Sequence, residues 1–126
     1  MMIDINKVKK NIEIKQQEQS EKRKLLFQKA WEDFESIVNH IINKYQPEKI
    51  YQWGSLLNYN HFSEISDIDI CIEGYIPPKD FFCMLGEIEQ MTNFPVHIAE
   101  INRIEPVYAK NIKTKGRLVY EKQLDT

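Results

Sequence analysis

WGSLLNYNHFSEISDIDICIEG, residues 53–74, is the stretch on which the reading of this chain turns. Its end, DIDICIEG, alternates acidic and β-branched residues and stops at a glycine, the pattern of a strand. Residues two apart on a strand share a face, so Asp67 and Asp69 point one way while Ile68 and Ile70 point into a core. Two carboxylates side by side repel, and each is costly to desolvate. Exposure at the start of the strand relieves that repulsion. So does a hard divalent cation such as Mg²⁺, which takes one or two carboxylates together with substrate phosphates. Gly54-Ser55 carries the same two readings. It is a turn that ends a strand, or a cradle in which glycine lets a phosphate approach the backbone N–H groups while serine donates a further hydrogen bond. Each motif is weak alone. Their order, a strand, Gly-Ser, a loop, then a strand with Asp-x-Asp, says more than either.

Upstream, KIYQWGS reads as a short strand, with Ile50 and Gln52 on one face and Tyr51 and Trp53 on the other. Before it the pattern is helical. Asp4 is placed to cap a helix starting near Asn6, and Pro47 ends it. From Leu26 to Tyr45, apolar residues recur at three- and four-residue spacing and make one buried face. The segment EIKQQEQSEKRK has almost no apolar residue yet is rich in helix formers, so the helix is expected either to project beyond the domain or to pair with another chain. Residues 6–45 read as one long helix, or two with a joint near Ser20.

Downstream, PPKDFFCMLGEIEQMTN reads as a helix with Phe81, Phe82, Leu85, Ile88 and Met91 in period. PVHIAEI reads as a third strand, EPVYAKNIKTKG as a helix closed by Gly116, and RLVYEK as a last strand. The order α, β, β, α, β, α, β predicts an α+β (mixed α/β) domain with helices packed on a mixed sheet of about four strands.

Composition excludes several classes. A chain of 126 residues with 42% hydrophobic and 29% charged residues reads as one soluble globular domain. A net charge of −2 gives no basic field of the kind a general nucleic-acid binder uses, although a local phosphate site remains open. No apolar run approaches the ~18 residues of a membrane span. The first residues lack the apolar core of a signal peptide, so a cytoplasmic protein is expected. Cys71 and Cys83 have no metal-ligand spacing and read as buried free thiols.

WGS followed by SDIDI resembles the nucleotidyltransferases of the DNA polymerase β superfamily. The small size and the tail GRLVYE are most similar to the minimal nucleotidyltransferase (MNT) group. The resemblance spans residues 49–121 and divides the chain into a helical segment, 1–46, and a nucleotidyltransferase domain, 47–126. It implies the polymerase β-like fold and transfer of a nucleoside monophosphate, AMP from ATP, onto a hydroxyl of a protein or small molecule. It also implies that Gly54 and Ser55 hold the triphosphate, that Ser66 belongs to the nucleotide-binding set, and that Asp67 and Asp69 bind Mg²⁺ or Mn²⁺. MNT domains form toxin–antitoxin pairs with helical HEPN proteins, which implies such a partner here, besides a possible homo-oligomer through the N-terminal helix.

The chain departs from the family at the third metal carboxylate, where PVHIAEI carries His97. Three roles are open for His97: a general base, a ligand for a softer ion such as Mn²⁺, or a position that has lost its role. The last predicts a catalytically degenerate nucleotide- or partner-binding module. Glu100 lies three residues along the strand, on the opposite face, and substitutes only through a bulge. The loop LLNYNHFSE also lacks the basic residue common after Gly-Ser in the family, which implies either weaker triphosphate binding or help from a residue elsewhere, such as Lys113 or Lys115. Trp53, Tyr59 and Phe62 are candidates for base stacking or for ordinary packing.

Overall fold

Asp4 starts the first helix, its Oδ1 accepting from the Lys7 N–H at 3.2 Å, and α1 then runs without a break over Ile5–Tyr45. The computed structural model describes residues 2–123. The alternative of two helices jointed near Ser20 is therefore set aside; good helix formers carry the backbone through the polar segment. Gln46 closes α1 in the left-handed region at φ 50°.

The chain then forms β1 (Lys49–Trp53), two short 3-10 turns (Ser55–Leu57 and Tyr59–His61), β2 (Ile68–Glu73), α2 (Pro78–Glu89), β3 (Val96–Glu100), α3 (Pro106–Lys115) and β4 (Arg117–Glu121). The sheet order is β3-β2-β1-β4. β1 runs antiparallel to both β2 and β4, and β2 pairs in parallel with β3 through the α2 crossover.

Alternation along the strands assigns the two faces of the sheet. Ile50, Ile68, Ile70 and Ile72 share one face with Ala30, Phe34, Ile37 and Ile41 of α1 and Met84 and Ile88 of α2, forming the main core. Tyr51 and Cys71 face the other way, against Ile101 and Ile112, so α3 covers only part of that second face. Asp67, Asp69 and His97 share this thinly covered face. The first half of α1 is exposed on every side, whereas its second half is an integral wall of the core. A polar tie reinforces that wall: buried Asp33 accepts from Thr92 Oγ1 at 2.7 Å and pairs with Lys29 at 3.1 Å.

Two expectations are corrected. Phe82 is 78% exposed and Leu85 sits at the rim of α2. The buried stripe is Phe81, Met84, Ile88 and Met91, because a neighbour one residue along a helix points about 100° away and two adjacent phenylalanines cannot both face inward. Cys83 shares the outward side of α2 and is exposed, while Cys71 is buried. Burial and Glu73 push the Cys71 thiol up to about 11. Among the described residues no helix is long and apolar enough to cross a membrane.

Truncating Phe34 to alanine removes a ring buried between helix and sheet and is expected to cost about 3–5 kcal/mol. Ile12→Ala, on the exposed arm, should stay within about 0.5 kcal/mol. Urea unfolding of both variants checks the division of α1 into a structural half and a projecting half.

Candidate functional site

The link from β1 to β2 is far longer than a tight hairpin needs, and it packs back onto the sheet. Leu56 and Phe62 anchor it in the main core, both essentially buried. α1 grips it from outside: Phe27 meets Tyr59 and Phe62 edge-on at 5.0 and 5.2 Å, and Arg23 lies over the Tyr59 ring at 4.5 Å. Phe62 and Tyr59 are therefore packing residues. Trp53 instead stands on the site face, its ring 5.9 Å from that of His97.

Gly54 sits at φ +86°, in the region glycine favours, and begins the first 3-10 turn, which carries Ser55. A Cβ at Gly54 would lie 2.1 Å from Asp69 Oδ2. The glycine thus brings the loop backbone directly onto the carboxylate, from the end of a strand whose Trp53 is the register partner of Asp69. On its other side Asp69 is the register partner of His97, whose Nδ1 is 3.8 Å from Asp69 Oδ1. The parallel pairing of β2 and β3 is what puts His97 beside Asp69.

The Asp69 side chain is largely covered, and that burial raises its pKa; repulsion from Asp67 raises it further, while His97 works in the opposite direction. Asp67 is exposed, immediately before β2. The pair is a partly desolvated anionic centre that a cation would relieve. Its oxygen donors fit one hard ion, with water or phosphate completing the shell. Among the described residues no group of three or more His, Cys, Asp or Glu side chains converges to hold a metal. Glu100 does not supply the missing carboxylate: it is in register with Ile72 on the core face and pairs with Arg103 at 3.2 Å.

Ser66, directly before Asp67, is engaged in its own turn. Its Oγ accepts from the Ser63 N–H at 2.9 Å and closes the turn over residues 63–66. Of the two lysines considered from sequence, Lys113 is engaged with Glu73 at 2.8 Å and holds that carboxyl below its usual range. Lys115 instead lines a cavity of about 740 Å³ with Asn58, His61, Tyr108 and the two residues that border Asp69, Gly54 and His97; Asp67 and Asp69 are not themselves in its wall. Tyr108 and Asn111 were missed from sequence. The available signal was the spacing of 108, 111 and 115, which places them along one face of α3.

The polymerase β nucleotidyltransferase family model matches residues 35–125, well over half of the chain. Among solved structures, the chain is similar to one from the crystal structure of the toxin–antitoxin MntA–HpeT in a mutant form, with TM-score 0.57 and 15% identity over 71% of this chain and 74% of that one. At that identity the likeness concerns the fold, and it agrees with the four-stranded mixed sheet and its packed helices. No curated protein matches the sequence.

Two outcomes follow from this geometry. Gly54→Ala places a methyl group on Asp69 at a strained φ and should cost about 1–3 kcal/mol by chemical denaturation. Asp69→Asn should raise the melting temperature of the metal-free protein at neutral pH. The folded pKa of Asp69 lies above its unfolded value, so its ionised form destabilises the fold as pH rises, and the advantage of Asn should shrink as pH falls through the raised folded value and vanish below the unfolded carboxylate range.

Proposed function

The chain belongs to the polymerase β nucleotidyltransferase family, and from that membership we propose that it transfers AMP from ATP onto a hydroxyl of a protein or small molecule, releasing pyrophosphate. The observation that best supports this is the seat of Gly54 on Asp69, which joins a phosphate-type loop and a carboxylate pair in one site. In this reading Gly54 lets the triphosphate approach the loop backbone and Ser55 donates to a phosphate oxygen. Asp67 and Asp69 hold Mg²⁺ or Mn²⁺, which supplies charge neutralisation at the phosphates. His97 Nδ1 lies against Asp69, so Nε2 is the atom available to take the proton of the attacking hydroxyl. Ser66 acts indirectly, by shaping the end of the loop that delivers Asp67.

The acceptor in this proposal is a protein partner. The similar solved structure is a toxin–antitoxin pair, and by analogy this chain is read as an antitoxin that modifies a helical HEPN-type toxin in the cytoplasm. A second reading has a specific observation behind it: with His97 at the third position and Glu100 turned away, the centre has two carboxylates rather than three. That favours a degenerate module which binds nucleotide or partner and transfers nothing.

Incubation with α-labelled ATP, Mg²⁺ or Mn²⁺ and the neighbouring gene's product separates the two readings. The enzyme labels the acceptor, and Asp69→Asn lowers the rate by at least about a thousandfold. No label with either metal eliminates the transferase reading. His97→Asp should raise transfer with Mg²⁺ if the third carboxylate is what limits the rate.

A further inference from the structure

The loop over residues 54–62 contains no lysine or arginine, yet a triphosphate carries several negative charges that one divalent ion and two aspartates do not balance. The nearby cations are mostly committed elsewhere. Lys113 and Lys49 both reach Glu73, Arg103 reaches Glu100, Lys22 reaches Glu64, and Arg23 stacks on Tyr59. Lys115 is the one lysine or arginine among the described residues that lines the cavity shared with Gly54, Asn58 and His61, and it pairs with no described carboxylate.

Its place is set by backbone packing. Gly116 ends α3 by donating to the Ile112 carbonyl at 2.8 Å, and a Cβ there would lie 2.4 Å from that oxygen and 2.6 Å from the Gln52 carbonyl. The last turn of α3 is therefore pressed against β1, one residue before Trp53 and two before the Gly-Ser turn. A helix C-terminus has negative partial charge and would by itself repel a phosphate there. A lysine on that turn reverses the sign.

We propose that Lys115 is the triphosphate-binding cation of this protein, supplied by the end of α3 in place of a basic residue in the loop, with Asn58 and His61 completing the contacts to the outer phosphates. This rests on the nucleotidyltransferase reading. A flexible ammonium suits the role, since the group it neutralises is a diffuse anion rather than a planar carboxylate.

Equilibrium binding of ATP and of AMP, each with Mg²⁺, to the full chain and to Lys115→Ala, Lys115→Arg and Lys110→Ala tests the assignment. Lys115→Ala should weaken ATP about tenfold or more while leaving AMP within about twofold. Lys115→Arg should restore most of the ATP affinity, and the salt dependence of ATP binding should be shallower in Lys115→Ala. Lys110→Ala, on the same helix but outside the cavity, should match the wild type. Unchanged ATP affinity in Lys115→Ala, or equal losses for ATP and AMP, overturns the assignment and leaves the transferase reading standing. A wild-type chain that binds no nucleotide overturns both.

Discussion

The close approach of Gly54 to Asp69 is the constraint around which the site is organised. A carboxylate held beneath a loop backbone, beside an aromatic ring and a histidine, is only partly hydrated, and its neighbour Asp67 adds repulsion. Such a group costs stability in the isolated protein and becomes favourable when a cation arrives. The surroundings hold it in that state. Trp53 is fixed opposite by strand register, Leu56 and Phe62 pin the loop to the core, and α1 clamps the loop from outside. The long helix is thus more than an appendage, because its second half completes the core and its middle braces the loop.

The sheet separates two tasks between its faces. One face carries the isoleucines of β1 and β2 against α1 and α2, and supplies most of the apolar burial. The other face is only partly covered by α3, which leaves room for the cavity while closing its far side. Charge is divided in the same way. Lys113 is spent on Glu73 beside the small second core, whereas Lys115, two residues on and about 200° round the helix, reaches the open end. Neighbouring lysines of one helix thereby take different roles.

The surroundings of His97 give its position a physical meaning. The ring stands in parallel register with Asp69, exposed and near Trp53, and it cannot add negative charge to the centre. A centre of this kind suits one hard cation better than two.

The amino-acid sequence alone determined the order of the elements, the faces of β1 and β2, the N-cap at Asp4, and the pairing of a Gly-Ser turn with Asp67 and Asp69. Those features follow from local periodicity and from residues close in the chain, where strand and helix geometry leave little choice. The outward turn of Phe82 and Cys83 was decided by tertiary structure, since a helix with apolar residues at adjacent positions has more than one possible buried stripe until a partner surface selects one. So were the parallel placement of His97 beside Asp69 and the opposite fates of Lys113 and Lys115. In each case the contact joins segments tens of residues apart or depends on how an element is rotated about its axis. Periodicity names a face; only packing says what that face meets.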